Sequence, residues 1–139
     1  MTTIAYKDGI IAYDSRITEG DTILTDNFEK KYEQDGLTFF IAGDLGQDQQ
    51  FANSFILREP QGIKLAQGFV VDGDKLYICT VLSKRVQVYE WHKANPRAVG
   101  TGEPFALTAM KLGNSAVDAV KAAMNFDTNT GGKVRTFKL

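Results

Sequence analysis

An α+β fold, built from antiparallel hairpins and covered by helices, is what this sequence predicts, and three observations predict it. Asp-Gly pairs at Asp8-Gly9, Asp35-Gly36 and Asp72-Gly73 each separate two β-rich runs, the strongest short-range hairpin signal. Helical signals occur in three places only, one in mid-chain and two near the end. At 139 residues, 43% hydrophobic and 24% charged, the chain has the size and composition to bury one core, and a single domain over residues 1–139 is expected.

The first hairpin is expected to pair residues 2–7 with 10–15, followed by a polar loop, Thr18-Glu19-Gly20-Asp21. The second pairs 29–33 with Leu37 to Ala42, a run apolar enough to be buried on both faces. After Gly43-Asp44-Leu45-Gly46 a helix is expected from Gln47 to Arg58, with Phe51, Ser54, Phe55 and Arg58 on one face and Pro60 as its stop. The third hairpin pairs 68–71 with 76–82 and continues through Val86 to Trp91. Pro104 suits the first turn of a helix over Phe105 to Leu112 that Gly113 closes. Ser115 to Asp118 has capping-box form and opens a helix to about Phe126, and a last strand runs from Lys133 to Phe137.

Net charge is −1 with both signs scattered, which leaves no basic footprint for nucleic acid and no polybasic membrane patch. No basic segment leads into an apolar run, and no apolar stretch approaches the roughly 18 residues of a membrane span. A cytoplasmic location is therefore expected. The lone Cys79 lies in a strand-like run and reads as a core thiol, and with His92 alone beside it there is no metal-ligand cluster. No cofactor is expected.

The chemistry points to the N-terminal stretch. Thr2 follows the initiator Met and opens a hairpin whose other end carries Asp14, so a hydroxyl and a carboxylate lie near the same end. With Met1 removed, Thr2 holds a nucleophile, its hydroxyl, and a base, its own α-amine, which titrates at about 7.7 to 8.0 when unperturbed.

Five patterns recur in one order: Thr2-Thr3, Asp14-Ser15-Arg16, Lys30-Lys31, Ala42-Gly43, and Gly100-Thr101-Gly102 with Asp127-Thr128-Asn129-Thr130-Gly131-Gly132. In these the chain resembles the proteasome β-subunit family of N-terminal nucleophile hydrolases, which includes bacterial HslV. The likeness covers residues 2 to 46 and 99 to 137. It implies a four-layer αββα sandwich with a reduced helical layer, since residues 46–68 hold one short helix, and a shortened member of a phage or bacterial kind. It implies a threonine-type peptidase or amidase in which Thr2 is the nucleophile, Asp14 the acid, Lys31 the lysine and Gly43 the oxyanion donor. Thr101, Asp127 and Thr130 would then aim the amine, with threonine at both positions where the family has serine.

The family's first substrate pocket would fall on Ile17, Glu29, Glu33, Ile41 and Leu45, apolar with an acidic rim that favours Arg or Lys before the cleaved bond. Peptides or unfolded proteins are the implied substrates, and an unfoldase is a partner implied by the family alone. A homo-oligomer is expected, because the family shields its nucleophile in rings and Phe51 and Phe55 need cover. The competing expectation is a non-catalytic scaffold subunit that keeps the fold.

Overall fold

The computed structural model describes residues 2–139. In chain order its elements are β1 (Thr3–Lys7), β2 (Ile10–Tyr13), β3 (Ile17–Glu19), β4 (Thr22–Thr25), β5 (Lys31–Gln34), β6 (Leu37–Ala42), α1 (Asp48–Leu57), β7 (Leu65–Asp72), β8 (Lys75–Leu82), β9 (Arg85–Glu90), β10 (Arg97–Gly100), α2 (Glu103–Lys111), α3 (Ala116–Ala123) and β11 (Arg135–Lys138). They divide into two compact units, residues 2–30 with 93–139, and residues 31–92.

The first unit holds an antiparallel sheet in the order β10-β1-β2-β11 and the two-stranded β3-β4 ribbon. Asp8 (φ 51°) and Gly9 (φ 81°) both take the left-handed conformation, which matches the right-handed twist of β1 and β2. The register sets Ala5 opposite Ala12 on one side and Ala98 on the other, so three alanines lie abreast across the sheet. That small-residue row lets α2 and α3 approach closely, and Ala106, Ala109, Met110, Ala116, Ala119 and Val120 pack on it. Pro104 lies in the first turn of α2, which begins two residues earlier than the pattern indicated, and Gly113 (φ 106°) follows its end. Ser115 caps α3 by accepting from the Asp118 N–H at 3.1 Å.

The second unit is one antiparallel sheet, β5-β6-β7-β8-β9, with α1 against it. Consecutive side chains of β6, Phe39 and Phe40, are both fully buried, as expected of a strand covered on two faces. Phe51 and Phe55 of α1 pack edge-on against Phe39, at centroid separations of 6.2 and 5.8 Å. They are buried within their own unit, so the argument for an oligomer from their exposure falls. At the third hairpin Asp72 pairs with Lys75, which makes Gly73-Asp74 the two-residue loop rather than Asp72-Gly73. The Gly20-Asp21 pair likewise closes β3 onto β4, where only a loop was expected.

The four-layer αββα sandwich is not what is found. The described residues are 41% strand and 20% helix, in three antiparallel sheets with three helices. The cause lies after α1: Arg58 turns left-handed (φ 58°), Pro60 follows, and Gly62 (φ 83°) turns the chain again before β7 starts at Leu65. One ten-residue helix is all this segment supplies. Among the described residues no helix is long and apolar enough to cross a membrane.

Candidate active site

The β1-β2 ladder sets Ile4 opposite Tyr13, and one step further out the Asp14 N–H donates to the Thr3 carbonyl at 3.3 Å. The carboxylate of Asp14, fully buried, is thereby brought to Thr2, whose hydroxyl donates to Asp14 Oδ1. Oδ1 also accepts from the Thr3 N–H at 3.3 Å, and Oδ2 from the N–H groups of Gly131 (2.9 Å) and Arg16 (3.3 Å). A buried carboxylate is tolerated only when donors surround it.

The cation of this group is Lys30, not Lys31. Lys30 Nζ donates to Asp14 Oδ1 at 2.7 Å and to the Thr2 hydroxyl, and its side chain is 4% exposed. Lys31, the first residue of β5, pairs with Glu33 at 3.6 Å and is 34% exposed. In extended chain successive side chains point to opposite sides, so choosing the wrong one of two adjacent lysines reverses the face. Burial holds the Lys30 ammonium below its ordinary value, against Asp14 and Asp127, which raise it, and with Arg16 lowering it slightly.

A second cluster lies alongside. Asp127 Oδ2 accepts from the hydroxyls of Thr101 (2.6 Å) and Thr130 (2.7 Å), and its Oδ1 from the Asn129 N–H at 3.0 Å. Thr130 and Thr3 hydroxyls stand 2.6 Å apart. Since the Thr130 proton points to Asp127, Thr3 is the donor in that pair. Thr3 was not singled out from the sequence, and its role explains Gly102, where a Cβ would run into the Thr3 hydroxyl. The cluster therefore reaches β1 through Thr3.

The remaining positions behave differently from one another. Gly43 follows β6 in the second unit, where a Cβ would lie 3.0 Å from that of Ala66. Ile41 belongs to the core of that unit, and Leu45 is exposed. Ile17 opens β3 in the first unit. Glu29 accepts from the Tyr13 hydroxyl at 2.6 Å and lies 3.8 Å from Arg135, and Glu33 is committed to Lys31. Both glutamates expected at the acidic rim thus hold partners of their own. Among the described residues no three His, Cys, Asp or Glu side chains gather to hold a metal.

No protein-family model matches the sequence, and no curated protein does. Solved structures share the fold. BPH of Thiobacillus denitrificans in complex with epoxomicin superposes with a TM-score of 0.69 at 21% identity, over 99% of this chain and 97% of that one. The same protein in a second structure gives 0.69 and 21%, over 99% and 96%. At this identity the likeness is one of fold.

Proposed function

We propose that the protein is an N-terminal threonine hydrolase acting on peptide or amide bonds, with Thr2 as nucleophile once the residue before it is removed. The observation that carries this reading is the buried Thr2, Asp14 and Lys30 group, in which one hydroxyl is held between a carboxylate and an ammonium. The epoxomicin bound to the structural neighbour is in keeping with it.

In this reaction the freed α-amine of Thr2 takes the hydroxyl proton while Oγ1 attacks the amide carbonyl. Lys30 stabilises the developing alkoxide and disfavours the protonated amine. The tetrahedral oxyanion takes a backbone donor, worth roughly 2.7–4 kcal/mol. Collapse breaks the C–N bond as the leaving amine receives the proton, and water then hydrolyses the Thr2 ester. Thr101, Asp127 and Thr130 act on β1 through Thr3.

Thr2→Ala tests the reading. Loss of hydrolysis across a panel of short fluorogenic peptides, with unchanged circular dichroism, supports it. Equal turnover in both proteins supports the scaffold reading or another site.

A further inference from the structure

Residues 26–30 bring Lys30 to Thr2 without belonging to any strand, since β4 ends at Thr25 and β5 starts at Lys31. With no ladder, discrete ties set the path. Arg16 grips Asp26 with two bonds, 2.8 and 3.2 Å, and Arg135 Nη2 donates to Asn27 Oδ1 at 2.7 Å. The Phe28 N–H donates to the Ser15 carbonyl at 2.9 Å. Glu29 takes the Tyr13 hydroxyl at 2.6 Å on one oxygen and lies 3.8 Å from Arg135 Nη1 through the other. Arg135 Nε also donates to Ser15 Oγ at 3.1 Å, so the guanidinium ties β11 to both the end of β2 and the 26–30 run.

We propose that Glu29 and Arg135 are positioning residues for Lys30, selecting it over Lys31 as the lysine that stands between Thr2 and Asp14. The sequence offers ammonium groups at two consecutive positions, and a slip of one residue would exchange them. Glu29 breaks that degeneracy. Neighbouring side chains in extended chain point apart, so holding Glu29 on the Tyr13 and Arg135 side sends Lys30 to the other. The Tyr13 phenol is pushed above its ordinary value by burial and by Glu29, and so remains a donor to it. The consequence for the nucleophile rests on the hydrolase reading above.

The test follows the Lys30 ammonium by NMR titration in wild type, Glu29→Ala, Arg135→Ala and Arg135→Lys, alongside the rate of epoxomicin labelling. In wild type burial holds the Lys30 ammonium below its ordinary value, against Asp14 and Asp127, which raise it, and with Arg16 lowering it. Both alanine variants are expected to move it toward that value and to slow labelling roughly 10- to 100-fold. Arg135→Lys should restore part of both. Glu29→Gln keeps the acceptor for Tyr13 and guards against a folding defect; it should shift Lys30 in the same sense by less. An unchanged Lys30 titration in Glu29→Ala and Arg135→Ala would overturn the proposal. A wild type that resists labelling, with the Lys30 shifts present, would retain the positioning role and remove the hydrolase reading instead.

Discussion

Lys30 Nζ stands 2.7 Å from Asp14 Oδ1 with the two side chains 4% and 0% exposed, and the Thr2 hydroxyl lies against both. A buried ion pair of this kind contributes little net stability, but removing one partner strands the other. Lys30→Met should therefore destabilise the protein by about 3–5 kcal/mol in urea unfolding and abolish hydrolysis. Lys31→Ala, at a half-exposed pair, should leave both within error. The reverse pattern would return the role to Lys31.

The pH dependence of stability follows from the direction of the Lys30 shift. Its folded value lies below the unfolded 10.5, so between the two the unfolded chain binds more protons. Stability from this group then rises with pH through that window, and below it the group is a cost. Urea unfolding as the pH is raised toward 10.5 should show a more positive slope for wild type than for Lys30→Met. Parallel slopes would contradict the assigned direction.

Gly132 links the second cluster to the run that carries Lys30. It adopts φ 77°, and a Cβ there would meet the Asp26 carbonyl. Gly132→Ala should cost roughly 1–3 kcal/mol from backbone strain alone, with further loss from the clash, and should lower activity by loosening the Arg16 grip on Asp26. A fully stable, fully active variant would show that this turn does not constrain the site.

Cys79 is fully buried in the second unit, and burial pushes its thiol up to about 12. In the native protein it should ignore a thiol reagent at pH 8 over hours and react completely in urea. Rapid native labelling would place it in a reactive environment.

What the sequence disclosed depended on whether a local signal had one physical solution. Asp8-Gly9 and Asp35-Gly36 did, because both residues of each pair need positive φ, and both hairpins were legible. At Asp72-Gly73 the same letters admitted a loop one residue later. β10, four residues ending at a glycine, carried too short a pattern to be seen, and the β3-β4 ribbon exposes adjacent Ile23 and Leu24, so no alternation marks it. In the site, Thr2, Asp14, Thr101, Asp127 and Thr130 stand in distinctive sequence patterns, but Lys30 and Lys31 are chemically identical neighbours. Ties made across long sequence separations, among them those of Tyr13 and Arg135 to Glu29, set the path of the run that carries them.

Whether Thr2 becomes an N-terminal nucleophile is read from the intact mass after incubation with epoxomicin. Wild-type protein should lack Met1 and gain one equivalent of the inhibitor, and Thr2→Ala should gain none. Wild-type protein that retains Met1 in full and takes up no inhibitor, or labelling that persists in Thr2→Ala, would contradict it.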